Sequence, residues 1–272
     1  VFDLFWKRLF SGILLLALIF FFFHKGGLLL LLLLTALSLM GLRELQQALK
    51  LKSPLEPIIA VLTLFFMAAI YLKGSFALAV WPVLTLLALL SFFVLRYPAY
   101  RTEEIALAYL GFVYVPVLFS HVYLLRMLPQ GGLLIWLVLI SSWGTDTAAY
   151  CTGMLFGRHK MTPVLSPKKT WEGAAGGVIG AMLMGALLAF VFRDSWSGSG
   201  SPVLIFMLLC GLASVFSMLG DLAASAVKRI SGIKDYSQLI PGHGGILDRF
   251  DSMLFTAPAI YYAALFLERI LS

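Results

Sequence analysis

Apolar residues run through this chain in blocks of roughly fifteen to twenty-six, separated by short polar breaks. A bilayer core about 30 Å thick takes about 20 apolar residues per helical crossing. Blocks at 9–23, 28–42, 57–72, 76–95, 105–125, 132–152, 173–192, 202–227 and 250–271 therefore predict nine transmembrane helices. Sustained alternation of apolar and polar residues is lacking, which argues against a transmembrane β-barrel. The expected fold is an all-α polytopic membrane protein with a single integral membrane domain. Residues 1–130 are read as scaffold spans and 131–272 as the half that carries the polar motifs. The first block follows Lys7 and Arg8 as in a signal peptide. However, His24-Lys25-Gly26-Gly27 is not a small-residue cleavage site, so a retained span is expected.

Nine crossings place the two ends on opposite faces, and the basic residues orient them. Lys7, Arg8, Arg43, Lys50, Lys52, Arg96, Arg101, Arg158, Lys160, Lys168, Lys169, Lys228, Arg229, Lys234 and Arg249 fall on one face. Lys25, Lys73, Arg126, Arg193 and Arg269 fall on the other. Fifteen against five is a strong positive-inside bias, and it predicts a cytoplasmic N-terminus. The net charge of +7 then faces anionic headgroups and soluble anions on the cytoplasmic side.

Composition agrees with this picture: 61% of residues are hydrophobic, only 12% are charged, and the mean hydropathy is +0.97. Two cysteines, Cys151 and Cys210, lie inside apolar blocks, too few for a disulfide framework or a thiolate metal site; each reads as a small packing residue. Span seven carries Gly173, Gly176, Gly177, Gly180 and Gly185, a small-xxx-small pattern that permits close helix packing and makes a homodimer plausible. Residues 195–201, SWSGSGS, read as a flexible outer loop.

Against so apolar a background the carboxylates stand out. Asp146 lies within span six and Asp221 within span eight; a carboxylate at bilayer depth costs several kcal/mol (~2.5–3.5 on insertion scales), so its position is informative. Asp221, Ser225 and Lys228 are spaced i, i+4, i+7 on one helix face, as are Asp146 and Tyr150 at i, i+4. Asp248 and Asp251 form an i, i+3 pair at the start of span nine, inside the polar stretch PGHGGILDRFDS. By the topology all four aspartates approach the cytoplasmic side. Hard oxygen donors of this kind suit Mg²⁺ or Mn²⁺. Around them stand Lys168, Lys169, Lys228, Arg229, Lys234, His243 and Arg249. Carboxylates for a divalent ion amid a ring of cations suit polyphosphate chemistry. Gly242, Gly244 and Gly245 would make a tight turn and let backbone N–H groups reach a phosphate.

The stretch SAVKRISGIKDYSQLIPGHGGILDRFD, from Ser225 to Asp251, is similar to the signature of the phosphatidate cytidylyltransferases, or CDP-diacylglycerol synthases. Ser225, Lys228, Arg229, Lys234, Asp235, His243, Gly244, Gly245, Asp248, Arg249 and Asp251 fill its fixed places without a gap. DTAAYCTGMLFGR from Asp146 and SPKKTWEG at 166–173, with Lys169, Thr170 and Glu172, resemble the same family. The resemblance covers the C-terminal half; the first five spans match it only in being hydrophobic.

The resemblance implies cytidylyl transfer from CTP to phosphatidic acid, giving CDP-diacylglycerol and pyrophosphate, on the cytoplasmic face of a bacterial plasma membrane. On that reading Asp221 and Asp248 hold an essential divalent metal, with Asp251 and Asp146 as further ligands or behind them, and a second, monovalent cation remains open. Asp221, Asp248, Asp251, Lys228, Arg249 and His243 would be catalytic. Lys169, Thr170, Glu172, Ser225, Arg229, Lys234, Asp235, Gly244 and Gly245 would serve the substrates. CTP, phosphatidic acid and membrane lipids are the expected partners, and nucleic acid is not one. The alternatives are a CTP-dependent polyprenol or other lipid-alcohol kinase, which would release CDP, and an ion-coupled transporter whose buried aspartates carry ions. A phosphotransferase consuming CDP-diacylglycerol is disfavoured because no Asp-Gly-x-x-Ala-Arg motif occurs.

Overall fold

A computed structural model describes residues 2–51, 53–240 and 242–271, with the side chains of 2–8 and Leu271 left out. Lys7, Arg8 and Lys52, counted above among the basic residues, lie outside the described side chains. The chain is an all-α polytopic membrane protein. Its helices are α1 (Phe2–Lys25), α2 (Gly27–Ala48), α3 (Leu55–Lys73), α4 (Ser75–Leu95), α5 (Thr102–Arg126), α6 (Gly131–Phe156), α7 (Trp171–Val191), α8 (Pro202–Ile230) and α9 (Leu247–Leu271). Among the described residues α2 to α9 are each long and apolar enough to cross a bilayer, and α1 adds a shorter apolar stretch, Leu9–Lys25. The nine apolar blocks thus correspond to nine long helices among the described residues. Between α6 and α7 lies an antiparallel hairpin that the apolar pattern does not predict, β1 (Lys160–Thr162) with β2 (Ser166–Thr170).

Two helices contain wide π turns. In α5 the turn is Val113–Val117, and it holds Pro116, a residue with no N–H to give to the helical ladder. In α6 it is Ile140–Gly144, directly before Asp146. There the Ser142 hydroxyl donates to the carbonyl of Val138 at 2.7 Å, supplementing the loosened backbone bonding.

The chain packs as two compact units, divided differently from a scaffold of 1–130 and a catalytic half of 131–272. One unit contains the residues up to Leu124 together with Ser231–Arg249. Its interior is aliphatic and aromatic, with Leu34, Leu55, Ile59 and Phe66 essentially inaccessible and Phe66 edge-on to Phe112 at 5.4 Å between ring centres. The polar segment 231–249 is therefore built into the unit formed by the N-terminal spans, not held apart from them.

The second unit contains Leu125–Ile230 and the residues from Phe250 on. Here the glycines of α7 find their use. A Cβ on Gly177 would stand 3.0 Å from Ala149 Cβ on α6, and one on Gly185 would stand 2.6 Å from Cys210 Sγ and 3.0 Å from the Phe206 carbonyl on α8. This small-residue stripe is spent inside the chain on α6 and α8, so it supplies no argument for a homodimer. Large apolar residues elsewhere on the same helix, Ile179, Leu183, Leu187 and Phe190, are exposed and suit contact with lipid tails. Cys210 is a buried packing residue as expected. Cys151, on α6, is exposed, which corrects its reading as a packing residue.

Overpacking an interface this tight costs about 1–3 kcal/mol. Gly185→Leu should therefore lower the thermal midpoint of the detergent-solubilised protein by ~5 °C. Leu183→Ala, on the exposed face of the same helix, should leave it nearly unchanged in the same thermal scan.

Candidate active site

In the second unit the polar residues collect around a cavity of about 460 Å³ lined by Asp146, Tyr150, Lys168, Lys169, Thr170 and neighbouring small or flexible side chains. The i, i+4 spacing of Asp146 and Tyr150 is realised: both line this cavity from α6, one turn past the π segment. Lys169 comes from β2 and pairs with Asp221 of α8. Its ammonium nitrogen is shielded from solvent. Deeper in the unit, Asp251 of α9 is only 7% exposed, with one carboxylate oxygen accepting the Ser252 N–H at 2.8 Å. Asp221, Lys228 and Asp146 all act electrostatically on it. Asp221, Lys228 and Asp146 thus lie within electrostatic range of Asp251, and Lys169 joins them through its pairing with Asp221. Ser225 is partly buried one turn from Asp221, and Arg229 is exposed at the end of α8.

Thr170 and Glu172, read as substrate contacts, have structural work here. Thr170 is the N-cap of α7, its hydroxyl accepting the Gly173 N–H at 3.1 Å. The Glu172 carboxylate accepts the N–H groups of Arg158 at 3.1 Å and His159 at 3.2 Å, and lies 2.6 Å from His159 Nδ1. Together they fasten both ends of the segment that carries Lys168 and Lys169. The hairpin needs this because its strands, three and five residues long, have little ladder of their own.

The remaining motif residues belong to the first unit. Asp248 stands in the first turn of α9, and its Oδ2 accepts the N–H of Tyr236 at 2.8 Å and of Gly245 at 3.0 Å. Gly244 has φ +82°, and a Cβ there would lie 3.0 Å from Asp248 Oδ2, so both backbone conformation and space call for glycine. His243 Nδ1 is 2.8 Å from the Ser11 hydroxyl on α1. Lys234 and Asp235 are exposed, and Arg249 is partly buried. The N–H of Gly245 is donated to Asp248 rather than left for a phosphate, which corrects the phosphate-cradle reading at this glycine. A carboxylate already occupies that donor.

Two residues that sequence reasoning does not single out, Ser11 and Glu44, also hold the motif. The Glu44 carboxylate, on α2, accepts N–H groups from Ile246 and Leu247, both at 2.9 Å, and the Ser237 hydroxyl at 2.5 Å. A glutamate near the end of an apolar block is the only signal the sequence offers for it.

Oxygen donors are the type that a hard divalent ion takes. The cavity lining offers carboxylate and hydroxyl oxygens and neither Cys nor His, and the Lys169 ammonium against Asp221 marks a place where positive charge is stabilised. Among the described residues neither unit draws three His, Cys, Asp or Glu side chains into a group that could hold a metal ion.

Residues 6–267 match the Cytidylyltransferase family. The chain belongs to that family. Cytidylyltransferase relatives with curated names include the phosphatidate cytidylyltransferase of Bacillus subtilis (strain 168), 37% identical over 65% of this chain and 64% of that protein. Those of Synechocystis sp. and Haemophilus influenzae are 43% identical over 53% of this chain and 47% of the relative, and 42% identical over 49% and 46%. The chain thus spans 46% to 64% of the length of these curated relatives, less than two thirds of each.

The Lys169–Asp221 pair carries a local prediction. Lys169→Met and Asp221→Asn each leave a shielded charge without its partner, at a cost of about 1–3 kcal/mol. The double variant should lose less than the sum of the two. Thermal midpoints of the four proteins measure the coupling; strictly additive losses would deny it.

Proposed function

We propose that this chain transfers the cytidylyl group of CTP to phosphatidic acid, forming CDP-diacylglycerol and pyrophosphate. The observation that carries this reading is the charged cavity of the second unit, where Asp146, Lys168 and the Lys169–Asp221 pair meet in a chain of the cytidylyltransferase family. Its volume of about 460 Å³ lies in the ordinary range for small-molecule sites, ~300–1,000 Å³.

A phosphate oxygen of the lipid attacks the α-phosphorus of CTP in line. The bond from that phosphorus to the bridging oxygen breaks, and pyrophosphate leaves with the electron pair. A phosphate monoester is already an anion near neutral pH, so no general base is required. Both reactants are anionic, and their repulsion must be screened before they meet. Lys169, Lys228, Arg229, Lys234 and Arg249 supply that screening by binding phosphates. Asp221, Asp248, Asp251 and Asp146 are the residues that would hold Mg²⁺ or Mn²⁺. Such an ion, when bound, neutralises charge on the triphosphate and on the departing pyrophosphate. Ser225, Asp235 and the turn at Gly244 and Gly245 shape the surrounding surface, while Thr170 and Glu172 hold the lysine-bearing hairpin. His243, hydrogen-bonded to Ser11, serves as a phosphate contact. With the N-terminus cytoplasmic, CTP arrives from the cytosol at the inner face of a bacterial plasma membrane, and the two-tailed lipid enters sideways between helices.

Purified protein given labelled CTP, phosphatidic acid and Mg²⁺ should release pyrophosphate and a lipid-soluble cytidine product in equal amounts, and EDTA should stop both. Asp221→Asn and Asp248→Asn should each lower turnover by at least about 100-fold while the protein still inserts into membranes. Formation of CDP and a phosphorylated lipid only when a lipid alcohol is supplied would replace this reading with a kinase. Full activity in both aspartate variants would remove the metal assignment.

A further inference from the structure

Three successive backbone N–H groups at the start of α9, those of Gly245, Ile246 and Leu247, are shared between two carboxylates. Asp248 accepts the first at 3.0 Å, and Glu44 accepts the second and third at 2.9 Å each. Those of Ile246 and Leu247 belong to the unpaired donors that every helix leaves at its N-terminus, and that of Gly245 adjoins them. An anion there is favoured by the helix dipole as well as by the hydrogen bonds. Glu44 comes from α2, about two hundred residues earlier in the chain, and is only 4% exposed. Its third donor is the Ser237 hydroxyl at 2.5 Å, within the loop that carries Lys234 and Asp235. The fit leaves no room for a side chain on Gly245, where a Cβ would stand 2.5 and 2.6 Å from the two Glu44 oxygens.

We infer that Glu44 is a positioning residue for Asp248 in the cytidylyl-transfer site, an inference that rests on the function proposed above. Glu44 fixes the peptides of 246 and 247, and the adjoining peptide of 245 holds the Asp248 carboxylate. By also gripping Ser237, it ties the loop before the glycine turn to the same anchor. A carboxylate buried only for stability would have no need to meet the loop at two points on either side of the motif's histidine. The glycine at 245 thereby acquires a reason independent of nucleotide binding: it admits Glu44.

The test uses the whole chain in detergent, with Glu44→Gln, which keeps one acceptor oxygen, Glu44→Ala, which keeps none, and Ser237→Ala, which removes one donor. Amide exchange is followed by mass spectrometry in the absence of substrates, and kinetics and thermal midpoints are measured on the same preparations. Exchange at Ile246 and Leu247 should accelerate about tenfold in Glu44→Gln and further in Glu44→Ala, with α3 and α4 unchanged. The Mg²⁺ concentration for half-maximal activity should rise about tenfold in Glu44→Gln, with the KM for CTP moving less than about threefold. Unaltered exchange at 246–247 would overturn the contact. Faster exchange there with wild-type kcat and Mg²⁺ dependence would reduce Glu44 to a stability element and overturn its positioning role. Should Glu44→Ala not fold, Glu44→Gln and Ser237→Ala carry the same comparison. A wild-type protein without cytidylyl transfer would refute the proposed function, while the exchange data would still report on the Glu44 anchor.

Discussion

A carboxylate placed where the chain crosses lipid must be compensated, and much of the polar architecture follows from that requirement. An unpaired charge at such depth costs several kcal/mol (~2.5–3.5 on insertion scales). Three of the buried or half-buried acids have each been given a distinct answer. Asp221 meets an ammonium, Asp248 meets two backbone N–H groups, and Glu44 meets two backbone N–H groups and a hydroxyl. These answers differ in what they leave available. A carboxylate paired with a flexible lysine can exchange that partner for another cation, whereas one stitched to backbone donors is held in place. The chain therefore combines a mobile compensation near the cavity with fixed compensation in the glycine turn.

The close approach of helices in the second unit serves the same end. Lys169, at the end of β2, meets Asp221 in a unit where α7 lies tightly against both α6 and α8, as its glycines permit. Thr170 and Glu172 then tie down the hairpin whose end carries the lysine. Packing, capping and charge pairing are here successive steps in locating one ammonium group.

Much of this architecture is legible in the amino-acid sequence. Nine apolar blocks become nine long helices among the described residues because a helix across lipid must satisfy all its backbone bonds internally, which leaves length and composition as strong constraints. Asp146, Asp221 and Asp251 are conspicuous because charge is so scarce around them, and they do cluster with Lys228 in one unit. The hairpin is not visible, since strands of three and five residues leave no readable period. Glu44 escapes notice for a different reason: its partners lie 193 to 203 positions away, and no local pattern encodes a bond over that separation. The same distance hides the grouping of 231–249 with the N-terminal spans, which makes those spans look like mere scaffold. Thr170 and Glu172 stand out by motif, but their capping and fastening bonds do not, because a cap and a substrate contact call for the same residue types.

The wide turn at Ile140–Gly144 also sets how this helix tolerates change in length. Each residue of an α-helix advances the azimuth by about 100°, so a π turn is in effect one surplus residue absorbed by the coil. Loss of a single residue from that turn would restore an ordinary helix without breaking it. The segment after it would keep its facing, because the residue removed is the one the wide turn had absorbed, and Asp146 and Tyr150 would still line their cavity. A one-codon deletion there would thus spare the site, whereas the same deletion in a regular stretch of the helix would swing everything beyond it by about 100°.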